Sequence, residues 1–141
     1  MTPADLKSAG WMFREFEGFT GQLGALWTRG MGPERVVGFF VDARHTNNHL
    51  GTCHGGAIMT FADVALGFGV ADALGHVNCA TAQLQTYFVS AARVGDFVTC
   101  TPELVRRTAQ LVFIRGLVCV GDKTVASADG IWKALEPKSP A

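Results

Sequence analysis

The chain has 141 residues, the size of one ordinary domain, able to bury about two thirds of its unfolded surface. Its 12 basic and 12 acidic residues cancel, which leaves no electrostatic footprint for nucleic acid or an anionic membrane. Charged residues make up 17% and apolar ones 48%, whereas soluble domains usually carry about 25% charged residues, so another copy of the chain is expected to cover part of the surface.

The opening MTPADLKSAG has no basic region followed by a long apolar run and does not read as a signal peptide. Thr2-Pro3 with Asp5 marks a helix start, and Leu6, Ala9, Phe13 and Phe16 fall on one helical stripe. This predicts an amphipathic helix over 3–17, broken by the glycine-rich stretch 18–24. Residues 25–29 and 35–43 read as strands joined by a Gly30-Met31-Gly32-Pro33 turn. A polar loop, RHTNNHLGTC, leads into the apolar run 57–74, which approaches membrane-spanning length but contains Asp63 and Asp72. A buried core helix is the better expectation. Beyond Gly75 the period changes to two: Ala82, Leu84, Thr86 and Phe88 alternate with Thr81, Gln83, Gln85 and Tyr87, a strand with one more polar face. Three further strands are expected at 97–107, 111–120 and 124–135, with Pro102 implying a bulge or an edge and the tail EPKSPA loose. One long apolar helix followed by consecutive antiparallel strands predicts a single α+β domain in which a sheet wraps one helix.

Asp63 is the anomaly, because burying an unpaired carboxylate costs several kcal/mol. On a helical wheel Gly56, Met59, Thr60, Leu66, Gly67 and Val70 share its face, while Ile58, Phe61, Ala65 and Phe68 lie opposite on the expected core side. Gly67 and Gly69 each cost the helix about 1 kcal/mol relative to alanine, so a second helix or a ligand is expected close to them. At the other end His54-Gly55-Gly56 opens the helix, where uncommitted N–H groups and the positive end of the dipole can polarise a carbonyl. Asn48, in the loop before it, can add a donor or orient a water. Donors aimed at a developing oxyanion and a carboxylate to activate water are the parts of an acyl-transfer site. Other polar groups carry less. His45, His49, His54 and Cys53 lack zinc-site spacing, so no metal is expected, and no base stands ready for a Cys53 nucleophile. The four cysteines, Cys53, Cys79, Cys100 and Cys119, form no CxxC pair or short framework, as in a reduced, cytoplasmic protein. Arg93, Arg106 and Arg107 are either phosphate ligands or ordinary solvated charges.

Asn48, Gly51, His54, Gly55, Gly56 and Asp63, together with TYFVSAARVGD and VASADGIW, resemble the signature of hotdog-fold acyl-CoA thioesterases of the phenylacetate-pathway (PaaI-like) type. The likeness spans about residues 23–135. The resemblance implies the hotdog fold and matches Gly55 to the glycine whose N–H polarises the thioester carbonyl. It matches Asp63 to the catalytic acid, Asn48 to the asparagine that places thioester and water, His54 to a supporting histidine, and Thr81 to a hydroxyl residue near the attacking water. It implies a cytoplasmic hydrolase of aryl- or medium-chain acyl-CoA, with Asp63 as general base or nucleophile and no cofactor beyond the coenzyme A of the substrate. Substrate-binding candidates are Gly56, Arg93, Phe61, Leu84 and Tyr87. Spacing along the helix adds that Gly55 and Asp63 cannot reach one carbonyl from the same chain. A homodimer with shared sites is therefore expected, with pairing of dimers into a tetramer, and no membrane or nucleic-acid partner. Alternatives are a non-catalytic acyl-CoA sensor on the same fold and a hotdog dehydratase or hydratase, for which His54 and Asp63 are wrongly placed.

Overall fold

A computed structural model describes residues 1–47 and 49–136. At its centre lies α2 (Gly55–Leu74), started by an extended His54 whose ring accepts the Gly56 N–H and ended by Gly75 at φ +80°. A residue with a Cβ is strained in that left-handed closing position. Ile58, Phe61, Ala62, Ala65, Leu66, Gly69 and Val70 are the buried residues of the helix. Leu66 and Val70 thus correct the wheel, which set them beside Asp63 on the face away from the core. The buried positions, from Phe61 round to Val70 on the wheel, span about half of the helix circumference, an arc wider than one stripe because a curled sheet covers it.

Eight antiparallel strands form one sheet: β1 (Met12–Arg14), β2 (Leu26–Arg29), β3 (Val36–Phe40), β4 (Cys79–Phe88), β5 (Phe97–Cys100), β6 (Glu103–Arg107), β7 (Leu111–Val120) and β8 (Lys123–Ala134). Their order is β1-β2-β3-β5-β7-β8-β4, with β6 also paired to β7. Inward-facing Val112, Ile114 and Val118 of β7 and Ala126, Ala128 and Trp132 of β8 are buried and join Phe39, Phe61 and Leu66 in the main core. The long, apolar α2 is therefore the axis of a sheet-wrapped core, as its two carboxylates suggested.

The first helix is shorter than its stripe implied. α1 covers only Pro3–Ser8, with a capping box between Thr2 and Asp5. Gly10, at φ +88°, turns the chain out of it, and Phe13 then pairs in β1 opposite Trp27 of β2. Sheet pairing and the edge-on packing of those two rings outweigh a helical period of only a few residues. The expected strand 97–107 is interrupted at Thr101-Pro102, dividing it into β5 and β6. Pro102 is buried there and comes so close to Gly69 that a Cβ on that glycine would overlap it. Close approach is thus the reason for Gly69, and the approaching group is this chain's own strand break. Asp72 is accounted for as well. Arg35 donates to both its oxygens at 2.8 and 2.9 Å and the Gly32 N–H donates at 3.1 Å. Burial alone would push its carboxyl up, but these bonds outweigh that and hold it below the usual value.

Candidate active site

Among the described residues, the start of α2 leaves one backbone donor uncommitted. The Gly56 N–H donates to His54 Nδ1 at 2.8 Å, and the Ala57 and Ile58 N–H groups donate to the His54 carbonyl. Among the described residues nothing accepts the Gly55 N–H. That N–H points along the axis from the positive end of the helix dipole. His54 therefore acts here as the helix cap. Because Nδ1 accepts, the ring proton sits on Nε2. Gly56 gives its N–H to that cap rather than to a ligand, and a Cβ at Gly56 would lie 3.0 Å from His54 Nδ1.

The preceding loop is tied down on three sides. His54 N–H donates to the His45 carbonyl, Cys53 N–H to Ala92 O and Asn47 N–H to Thr52 O. The buried His45 ring accepts from the Asp42 N–H and donates to Leu23 O. Asn48, the loop asparagine of the site, lies outside the described residues. Cys53 is half-buried, and burial pushes its thiol up to about 11. No group of three or more histidine, cysteine or acidic side chains among the described residues can hold a metal ion.

Asp63 lies two turns along α2 and is part-covered rather than buried. The Thr81 hydroxyl donates to its Oδ1 at 2.7 Å. This contact depends on a bulge. Thr81 pairs with Trp132 and Gln83 with Ile131, so Ala82 is an extra residue and the alternation of β4 slips by one. Strict alternation put Thr81 on the polar face with Gln83 and Gln85. The bulge turns it inward, opposite the buried Trp132 and onto the same face as Leu84 and Thr86. Cys79, at the start of β4, is close enough for the Asp63 charge to add to the effect of burial in raising its thiol.

Beside the Gly55 N–H is a cleft of about 290 Å³ lined by Cys53, Gly55, Ile58, Phe88, Val89, Ser90, Ala91, Ala92 and Val125. Its Phe88 wall was missed by sequence reasoning, although alternation sets Phe88 with Leu84 and Thr86 on the less polar face of β4. A larger cleft, about 830 Å³, lies by the other half of the helix, around Gly69, Asp72, Pro102 and Leu104, and includes none of Gly55, Asp63 or Thr81. The remaining candidates separate. Phe61 is fully buried against Phe39 in the core and offers no surface to a ligand. Leu84 faces the helix and packs at the core margin. Arg93 pairs by its backbone with Thr52, next to the helix start. Arg107 instead donates to the Ala73 carbonyl at the far end of α2, the favourable place for a cation on a helix, and Arg106 is on the same distant strand. A Cβ on Gly67 would meet nothing within 4 Å, so that part of the Asp63 face is open.

A curled antiparallel sheet around one long helix, with an uncommitted N–H at the helix start and a carboxylate two turns on, defines the hotdog class. Residues 50–127 match the model of the Thioesterase superfamily, and the chain belongs to that family. The protein PA0474 of Pseudomonas aeruginosa, which carries an esterase name, is 34% identical over 98 residues, 69% of this chain and 72% of its own. Among solved structures, zebrafish Thioesterase Superfamily Member 2 superposes with a TM-score of 0.75 at 20% identity, covering 85% of this chain and 88% of its own. The PaaI protein of the Escherichia coli phenylacetic acid degradation operon gives 0.67 at 20% identity, covering 96% and 86%. A thioesterase from Streptococcus pneumoniae crystallised with coenzyme A gives 0.72 at 19%, covering 91% and 99%. These likenesses establish the fold, and family membership establishes the chain as a thioester hydrolase.

Proposed function

We propose that the protein hydrolyses aryl- or medium-chain acyl-CoA thioesters in sites shared between two chains. The observation that carries this is the uncommitted Gly55 N–H at the mouth of an apolar cleft, where an acceptor gains both a hydrogen bond and the helix dipole. The thioester carbonyl rests on that N–H, and Asp63 drives the attack with Thr81 steadying its carboxylate. Asp63 acts as base or nucleophile. As base, Asp63 takes a proton from the water whose oxygen bonds to the carbonyl carbon, and that proton passes to the coenzyme A sulfur as the carbon–sulfur bond breaks; as nucleophile, its oxygen forms an acyl anhydride while the thiolate leaves, and water then splits the anhydride to release the acid. No cofactor is required. Coenzyme A in the pneumococcal neighbour and the PaaI likeness support this choice of substrate, and Arg93, beside the helix start, is the favoured partner for its phosphates.

Gly55 and Asp63 are eight residues apart on one straight helix, about 12 Å at 1.5 Å per residue. They cannot share a carbonyl unless one comes from a second chain. Two features support that arrangement: among the described residues β4 pairs only with β8, which leaves its other edge unpaired there, and the face around Gly67 is open. The test mixes Asp63→Asn with Gly55→Val chains, each inactive alone, under conditions of subunit exchange. Activity against a panel of acyl-CoA esters, followed by thiol release, is expected to return to as much as half the wild-type level per heterodimer, because one of its two sites then carries neither lesion. Heterodimers that form and stay inactive would refute shared sites, and a wild-type protein inert toward the whole panel would refute the hydrolase.

A further inference from the structure

We infer that Phe88 is a specificity-determining residue that favours flat or linear acyl groups and excludes those whose carbon next to the carbonyl is quaternary. This rests on the hydrolase reading of the Gly55 site and adds a substrate rule to it. Phe88 pairs with Ala126 at the end of β4, as Thr86 pairs with Ala128 and Leu84 with Gly130. It therefore belongs to the face of the strand that looks at the helix. Leu84 and Thr86 are partly covered there, yet Phe88 is 52% exposed. The reason is position, since the sheet runs past the first helical residue and the ring overhangs the helix start instead of packing on its side. Its Cζ, Cε1 and Cε2 would lie 3.2 to 3.7 Å from a Cβ on Gly55.

A helical Cα–Cβ bond tilts toward the N-terminus, the direction in which the Gly55 N–H also points. A carbonyl oxygen accepting from that N–H is therefore the ring's neighbour, and substituents on the carbonyl carbon must pass the ring. The opposite walls, Ile58, Ala92 and Val125, are buried and fixed. A flat or linear acyl group can lie along the ring face. A tetrahedral carbon carrying two methyl groups cannot lie flat along that ring.

The experiment compares butanoyl-CoA with 2,2-dimethylpropanoyl-CoA as substrates, and binding of their ketone analogues, in which a methylene separates sulfur from the carbonyl, by calorimetry. Wild type, Phe88→Leu and Phe88→Ala are measured, and circular dichroism checks that each folds. In kcat/KM the wild type is expected to favour the linear ester strongly. Phe88→Ala should reduce that preference by about tenfold or more, the scale of one or two misfitting methyl groups, with Phe88→Leu between the two. Turnover with the same preference in all three proteins would overturn the role of Phe88 and leave the hydrolase standing. No turnover, but a linear-over-branched binding preference that Phe88→Ala erases, would overturn the hydrolase and keep the ring's role. Neither turnover nor binding would overturn both.

Discussion

Replacing His54 with alanine separates a structural histidine from a chemical one. The structure gives its ring one bond, from the Gly56 N–H at 2.8 Å, in an exposed position where water can take over as acceptor. Loss of an N-cap costs about 0.5–2 kcal/mol in general, and exposure places this one near 1. The two bonds to the His54 carbonyl, from Ala57 and Ile58, survive the substitution, so the helix start should persist. In a chain of this size about 1 kcal/mol lowers Tm by roughly 3 °C. His54→Asn, whose short side chain is a strong cap, should recover most of that loss. Because the Gly55 N–H is untouched, kcat/KM should fall by less than about tenfold, under 1.4 kcal/mol. Thermal unfolding and steady-state kinetics on the two variants suffice. A loss of more than about a hundredfold in kcat, with Tm unchanged and no recovery in His54→Asn, would show that the imidazole takes part in the reaction and that the cap argument is wrong.

Thr81→Val keeps the shape of the side chain but removes the donor to Asp63 Oδ1. For a part-exposed charge-assisted bond, about 1–2 kcal/mol of barrier is expected, read as a fall of roughly tenfold in kcat at little change in Tm. Asp72→Ala leaves the Arg35 guanidinium, 11% exposed, without its bidentate partner, and denaturant unfolding should register a loss of about 3 kcal/mol. The folded carboxyl of Asp72 is depressed, so its stabilisation is complete above the unfolded value near 3.9 and disappears as pH falls through the lower folded value. Acid titration should therefore show Asp72→Asn losing less stability than wild type below about pH 4. With its thiol raised to about 11 by burial, Cys53 should react with iodoacetamide at pH 7.5 far more slowly than a free cysteine, and faster as pH climbs; rapid labelling at pH 7.5, found by peptide mass mapping, would contradict the half-buried site.

Much of this architecture was written plainly in the residues. The limits of α2 follow from His54-Gly55-Gly56 at one end and Gly75 at the other, and β7 coincides with its expected span because Gly121-Asp122 closes it with an ordinary turn. Errors arose where tertiary pairing overrides a local period. Phe13 left its helical stripe to pair opposite Trp27. Leu66 and Val70 were assigned outward because a single wheel has no term for a sheet that curls. Thr81 was assigned to the wrong face because nothing in CATAQLQTYF marks Ala82 as the residue that drops out of register. Residue type alone makes Phe61 a candidate pocket wall, whereas the importance of Phe88 comes from where the helix begins. The roles expected of Gly55 and Asp63 come from the resemblance; the pattern of committed N–H groups at the helix start came only from the coordinates.

The central helix has a consequence for how the protein is made. Its 20 residues have a window of mean hydropathy 1.6, enough by length and composition to cross a membrane, and four of them are glycines, Gly55, Gly56, Gly67 and Gly69. Alone it is both a weak helix and a sticky one. During synthesis it leaves the ribosome before β4, β7 and β8 exist, and the strand that completes its cover ends only at Ala134. At about 5–20 residues per second, the segment is uncovered for several seconds. In that interval it offers chaperones, targeting factors and other nascent chains a greasy, half-formed ligand. Slowing translation just after Leu74 should therefore lower soluble yield more than the same pause placed after β8.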